Sequence, residues 1–455
     1  MKLFNTASKK LENFVPKDKD NVKVYTCGPT VYSTAHIGNF TAYIYWDLLI
    51  RALKMNGYKV NRVMNITDVG HLVSDGDDGE DKMEKGARRE GKTVWEVAEF
   101  YMNDFLKNFR ALNLLEPEKI CRATDYIEAD KKLVEKMIEN GFTYGTSDGV
   151  YFDTSKFEDY ANFANLDLKG LKAGARVEFN SEKKNPSDFA VWKFIQPGEN
   201  HAMRWDFLDR PGYPGWHLEC STIIHEELGE PIDIHTGGID HIPVHHTNEI
   251  AQTFAITSDR LANYWLHCNF ITINGEKISK SLGNFYDFSD LKEKGFSHID
   301  FKMWILSGNY QTARNFTFED LTSAKNRRTN WRNKLARFYQ ADSLPENTDS
   351  VLDEYVEKVK DTINNNLNSA AAFSIIDSAP YEISDKFFAF LDELLGLNLV
   401  TDSPDISEVQ KSLILERESA RKAKDFEKAD KLREDLATTG IEIKDTPAGP
   451  IWQYI

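Results

Sequence analysis

The chain has 455 residues, and 56 Lys+Arg against 72 Asp+Glu give a formal net charge of −16. At ~150 residues per domain this predicts about three domains, and an apolar fraction of 41 % is ample for large cores, which excludes wholesale disorder. So acidic a chain repels phosphates on average, so any nucleic-acid site must be a local basic surface. Four Cys exclude a disulfide scaffold. No apolar run nears the ~18 residues of a membrane span, and MKLFNTASKK has no apolar signal core. A reducing, cytoplasmic setting is expected, in which the cysteines are inert core, metal ligands or nucleophiles.

Residues 22–28, VKVYTCG, predict a short strand ending at Gly28-Pro29. A helix is predicted over Thr41–Met55, with Ile44, Leu48, Leu49 and Leu53 on one stripe and Asn56-Gly57 as its stop. Residues 58–66 then read as a second strand, and strand, helix, strand is a βαβ unit, which implies a parallel sheet. A nucleotide would sit at the strand ends, near the helix N-terminus. Val94, Ala98, Tyr101, Phe105, Phe109 and Leu112 predict a helix over Thr93–Leu112. A loop-rich insertion is expected over about 120–200, before strand signals return at 231–235 and 266–273. After about residue 290 the pattern is helical, with a small bundle over 351–400. One further helix carries Leu415, Ala423, Phe426, Ala429, Leu432 and Leu436 as its apolar face, and a hairpin follows Gly440.

Four constellations could carry chemistry. Residues 86–93, GARREGKT, satisfy the phosphate-loop pattern of NTPases. The context opposes it: DDGEDKMEK stands where a buried strand should, and the acids at 75–81 would repel a triphosphate. The expected reading is a charged surface-helix start. Residues 33–39, STAHIGN, place His36, Gly38 and Asn39 before the first helix, where imidazole and amide can donate to phosphate or merely cap the turn. Residues 276–283, EKISKSLG, form a lysine loop able to clamp phosphates, or a solvated loop. Residues 241–249, HIPVHHTNE, put His241, His245 and Glu249 at i, i+4 intervals, with Cys27 and Cys220 elsewhere. Nitrogen, sulfur and carboxylate are the zinc donor set, but the spacing leaves a polar surface and two core cysteines equally open. HExxH is absent, so a metalloprotease has no support.

Taken in order, these residues resemble the class I aminoacyl-tRNA synthetases: STAHIGN resembles their HIGH signature and KISKS (277–281) their KMSKS loop. Within that class the chain is similar to the cysteinyl-tRNA synthetase family, through YTCGPTVY (25–32), NITDVG (65–70), RATDYI (122–127), PSDFAVWK (186–193), PGWHLECS (214–221), DIHTGGID (233–240) and the tail ARKAKDFEKADKLREDL. Departures are Asn39 for a second His, Pro243-Val244 for Phe-Pro, Thr247 for Glu, Ile278 for Met and Gly70-His71 for an acidic pair.

The resemblance implies an α/β fold: a Rossmann-type parallel-sheet catalytic domain over 1–300 with the insertion at about 120–200, a stem-contact region and helical bundle over 301–400, and a small α+β anticodon-binding module over 401–455. It implies ligation of L-cysteine to tRNA(Cys) through a cysteinyl adenylate, with Mg²⁺ accompanying ATP. Zinc, on Cys27, Cys220, His245 and Glu249, would select the thiol. His36 and Asn39 would meet the α-phosphate, and Lys280 with Lys277 the β- and γ-phosphates. Asp240, with the backbone of Gly237 and Gly238, would hold the ribose. Gly28, Thr67, Trp216 and His235 would shape the amino-acid pocket. The basic stretch 325–337 and the helix 417–433 are the candidate tRNA surfaces, and Trp452 either stacks on an anticodon base or caps the hairpin. A monomer is expected. The related cysteine:sugar-amine ligase of mycothiol type is the alternative, and would lack the C-terminal module.

Overall fold

The computed structural model describes residues 1–70, 82–166, 182–199, 201–279, 282–341, 348–380, 383–447 and 449–455. A hairpin of β1 (Lys2–Asn5) and β2 (Lys10–Asn13) opens the chain. β3 (Val22–Thr26), α1 (Ile37–Met55) and β4 (Val60–Ile66) form the expected unit, with the two strands parallel. α1 begins at Ile37 rather than Thr41 because its first orphan donors are satisfied early. The His36 backbone N–H donates to Asn39 Oδ1 at 3.0 Å, and that of Ile37 to the Tyr286 carbonyl at 2.9 Å. α2 (Lys82–Glu90) precedes α3 (Val94–Ala111), whose N-cap Thr93 accepts from the Glu96 N–H.

β5 (Lys119–Arg122) pairs with β4, so the chain is still in the parallel sheet at the start of the 120–200 segment. After α4 (Ile127–Glu139) come β6 (Thr143–Thr146), β7 (Gly149–Phe152), β8 (Phe189–Phe194), β9 (Trp205–Phe207) and β10 (Arg210–Pro214), an antiparallel sheet in the order β6-β7-β8-β10-β9. α5 (Leu218–Glu227) leads back to β11 (Ile232–Gly238), and α6 (Thr247–Thr257) to β12 (Ala262–Cys268). The main sheet is parallel throughout, in the order β12-β11-β3-β4-β5. Its inner strands are buried almost residue by residue, as a sheet covered on both faces requires.

The single run expected at 266–273 divides: β13 (Ile271–Ile273) leaves the main sheet and pairs with β14 (Arg314–Phe316). α7 (Phe288–Glu293), α8 (His298–Leu306) and α9 (Phe318–Tyr339) lead to the bundle α10 (Thr348–Asn364), α11 (Ser369–Ser378) and α12 (Asp385–Leu395). The last predicted helix is in fact two, α13 (Glu408–Lys422) and α14 (Phe426–Thr438), before the β15 (Ile441–Thr446) and β16 (Gly449–Tyr454) hairpin. Lys424 turns left-handed at φ 61°, and Asp425 caps the new helix by accepting from the Lys428 N–H. The predicted apolar face is therefore broken: Ala429, Leu432 and Leu436 are buried, while Leu415 and Phe426 are 69 % and 60 % exposed. Among the described residues no helix is long and apolar enough to cross a membrane.

One buried ionic knot joins the sheet domain to the helices. Asp47 on α1 accepts from Arg51 Nε and Lys302 Nζ, both at 2.8 Å, and from the Leu115 N–H at 2.8 Å. Arg51 donates onward to the carbonyls of Asn113, Asp392 and Glu393, and Lys302 to that of Asn113. Burial alone would raise the Asp47 carboxyl, but Lys302 and Arg51 outweigh it and hold it below its usual range. Asp47→Asn leaves two buried cations unpaired, so it is expected to lower stability by roughly 3–5 kcal/mol in urea unfolding, where a surface pair would give about 0–1 kcal/mol.

Candidate metal centre and the helix end beside it

The sheet topology brings distant residues to one place. Cys27 stands just beyond β3, Cys220 is in the first turn of α5, and His245 lies in a π-helical turn over 242–246 that runs into α6, whose first turn carries Glu249. One ligand atom from each of the four lies within 4.8 Å of the others. Cys220, His245 and Glu249 are buried, and Cys27 is the most open, at 9 % exposure. The neighbouring Cys27 side chain lowers the Cys220 thiol, while burial pushes the Cys27 thiol up. Burial would raise the Glu249 carboxyl as well, but His235 and His245 outweigh it and hold it well below the usual carboxylate range.

A second set, Cys27, His235, His246 and Glu249, meets the same distance test. Its histidines face Glu249 and Cys27 and also reach out of the cluster, to Trp265 and His267. His235 Nε2 lies 2.6 Å from Glu249 Oε2 with its ring stacked on Trp265, centroids 4.5 Å apart. His246 bridges His267, Nδ1 to Nε2 at 2.7 Å, and Cys27 Sγ at 3.4 Å, and His267 Nδ1 reaches Thr6 Oγ1 at 2.8 Å. In the first set His245 Nδ1 meets His217 Nδ1 at 2.9 Å, which orients the ring and leaves Nε2, 2.8 Å from Glu249 Oε1, facing the cluster. That Glu249 oxygen is buried without an aligned hydrogen bond. Two sulfurs, an imidazole and an under-satisfied carboxylate fit a zinc-type ion. His217, His246 and His267 are functional neighbours that sequence reasoning did not single out. The GWH and HH runs carry two of them, but their pairing depends on how the sheet brings the segments together.

The expected pocket residues surround this cluster. Gly28 donates its N–H to Asn65 Oδ1 at 2.7 Å, and a Cβ there would collide with the Asn65 carbonyl. Thr67 accepts from Asn65 Nδ2 and donates to the buried Glu219, both at 3.0 Å. Trp216 packs on His245 at 5.0 Å between centroids. Asn65 and Glu219 thus join the site. Gly237 is equally tight: a Cβ would come within 2.6 Å of the His246 ring. Gly238 and the exposed Asp240 follow it at the end of β11.

The two signature segments meet. A Cβ on Gly38 would come 2.6 Å from Ile278 Cδ1, so the lysine loop lies against the start of α1. His36 packs edge-on against Phe285 at 5.2 Å. Asn284 ties the loop by accepting from the Ser279 N–H at 2.8 Å and donating to the Lys277 carbonyl at 3.1 Å. Lys277 is exposed there, and Lys280 lies outside the described residues. Asn39 Oδ1 is engaged by the cap, so toward a phosphate its amide NH₂ is the donor.

The surface-helix reading of residues 86–93 holds, and the other candidate segments are partly engaged within the fold. Residues 86–90 are helix, Thr93 is a helix cap, and Lys92 lies over the Phe100 ring at 4.5 Å, so no phosphate loop exists. The acids at 75–81 lie outside the described residues. In the basic stretch 325–337 four cations are engaged within the protein. Arg327 pairs with Asp377, Arg328 with Asp402, Arg332 donates to Ser403, and Lys334 to the carbonyls of Ile376, Asp377 and Ala379. In the C-terminal module Arg417 pairs with Asp445, and Trp452 is buried against Ala336, so it does not stack on a base.

The sheet, with its polar residues at the carboxyl ends of parallel strands and a lysine loop folded onto the first helix, agrees with the comparisons. Residues 13–326 match the family described as the class I (C) tRNA synthetase catalytic domain. The fold is shared with Mycobacterium tuberculosis methionyl-tRNA synthetase bound by methionyl-adenylate, at TM-score 0.59 and 15 % identity over 83 % of this chain and 89 % of that one. The chain has the fold and catalytic domain of a class I aminoacyl-tRNA synthetase. Residues 403–452 match the cysteinyl-tRNA ligase anticodon binding domain. The whole chain is 40 % identical to the cysteine–tRNA ligase of Treponema denticola over all of both chains, and 41 % identical to cysteine–tRNA ligase 1 of Burkholderia lata over 98 % and 95 %. The chain belongs to the cysteine–tRNA ligase family, whose enzymes join cysteine to tRNA. Lys92→Met is expected to leave ATP-dependent charging unchanged in an aminoacylation assay, where a phosphate-loop lysine would abolish it.

Proposed function

We propose that the chain charges tRNA(Cys) in the cytoplasm through a cysteinyl adenylate, with zinc held by Cys27, Cys220, His245 and Glu249 and Mg²⁺ accompanying ATP. The observation that carries this reading is the buried convergence of those four side chains. The substrate carboxylate attacks the α-phosphorus and pyrophosphate leaves; a hydroxyl of the terminal ribose of tRNA then displaces AMP. No protein nucleophile is needed, so the chain contributes position and charge. The N-terminus of α1 offers backbone N–H groups and a positive dipole end to the α-phosphate, with the His36 imidazole and the Asn39 amide as side-chain donors. Lys277 and Lys280 act on the outer phosphates as point charges. Gly237 and Gly238 let the nucleotide come close to the backbone, and Asp240 accepts from the ribose.

Selection among amino acids rests on the donor set. A pocket of shape alone separates near-isosteres by only ~10²-fold. Bound zinc supplies a soft acceptor that favours sulfur over a hydroxyl. Gly28, Thr67, Trp216 and His235 hold the rest of the small side chain against it. The C-terminal match favours this reading over the sugar-amine ligase, which would lack that module.

With those α9 cations engaged, the tRNA surface we favour at the far end is the tip of the α13–α14 hairpin. There Phe426 is 60 % exposed beside the exposed Lys422 and Lys424. Cys220→Ser is expected to lose zinc and cysteine-dependent ATP–pyrophosphate exchange together; zinc loss with exchange unchanged would reject the metal's role. Phe426→Ala is expected to raise the KM for tRNA by about 5- to 100-fold, the range of one base-stacking contact, and to leave pyrophosphate exchange intact.

A further inference from the structure

Tyr25 is buried beneath the metal-type cluster and has no role in the chemistry described so far. It lies on β3 two residues before Cys27, and alternation along a strand puts both side chains on one face of the sheet. It shares a small core cluster with Cys27 and Cys220, and its ring stands edge-on to His235 at 5.2 Å. Tyr25 is 0 % exposed, and its hydroxyl has no hydrogen-bond partner of good geometry. A buried, unpaired O–H costs about 1–3 kcal/mol, and Phe would fill the same space without that cost. The hydroxyl therefore calls for an acceptor that the functional state supplies.

We infer that Tyr25 is a positioning residue for the metal centre, its phenol O–H donating to the Cys220 sulfur when that sulfur is a thiolate ligand. The inference rests on the proposed zinc site. A phenol keeps its proton at neutral pH, with an ordinary pKa of about 10, and so offers a donor to a neighbouring thiolate. A donor against a ligand sulfur draws charge from its lone pairs and fixes its direction. Supporting groups of this kind change metal affinity by about 10- to 100-fold when removed. The same O–H would not serve a hydroxyl-bearing ligand set, because its worth depends on a sulfur that carries negative charge.

The test uses the full-length protein with Co²⁺ as the probe for the ion, read by the sulfur-to-cobalt charge-transfer absorption and by competition with a chelator. Tyr25→Phe is expected to move the charge-transfer band to longer wavelength and to weaken Co²⁺ and Zn²⁺ binding by about tenfold. Site-specific 3,5-difluorotyrosine at position 25, a stronger donor of nearly the same shape, is expected to move the band to shorter wavelength. Opposite displacements by the two variants are not the result of general loosening, and the fluorinated protein keeps the question open to measurement even if Tyr25→Phe folds poorly. An unmoved band in both variants, with the wild type binding cobalt through sulfur, overturns the inference and leaves the zinc site standing. Failure of the wild type to bind either metal overturns both.

Discussion

Two thiols and a carboxylate gathered below the surface are the constraint around which this molecule is arranged. A carboxylate out of water loses its hydration, so the site is stable only if cations or strong donors surround it. The chain answers with histidines. His235 and His245 flank Glu249, His217 orients His245, and His246 stands against Cys27. These residues come from the end of β3, β11, the start of α5, the turn before α6 and the first turn of α6, and the parallel sheet aligns those ends. The catalytic fold and the proposed selectivity for a thiol are in this sense one problem. A sheet that could not hold the strand ends in register would leave buried charge uncompensated.

A second buried charge group does for the domains what the first does for the site. Asp47, Arg51 and Lys302 tie the middle of α1 to α8 and to the end of α12. That helix is buried from Phe40 to Leu53, so it cannot shift without disturbing the bundle. The helix whose N-terminus is proposed to meet phosphate is therefore anchored to the helical half of the molecule. Arg327, Arg328, Arg332 and Lys334 extend the same stitching toward the C-terminal module, with Tyr454 receiving the cation–π contact of Arg332.

The sequence was most legible where local periodicity and a buried strand agreed. β3, α1, β4 and α3 follow from their own residues, because stripe, cap and stop are all local signals. The four metal-type ligands were legible only through resemblance, since their spacing matches no compact motif. The supporting histidines were not legible at all: His267 meets His246 through the pairing of β11 with β12, which no window of sequence contains. The helix broken at Lys424 escaped because a left-handed lysine carries no compositional mark and the apolar period runs across the break. The engagement of the basic run on α9 was hidden for the opposite reason. Charge in a sequence does not reveal that the carbonyls ending α11 and the loop before α13 lie within its reach.

The opening hairpin has a consequence for how the molecule is handled. Thr6, at the turn after β1, touches His267, which touches His246, which touches Cys27. A relay of three contacts connects the first half-dozen residues to a sulfur at the catalytic core. A start site chosen beyond Thr6 would remove the first contact of that relay and reach the cluster from behind, through the imidazoles.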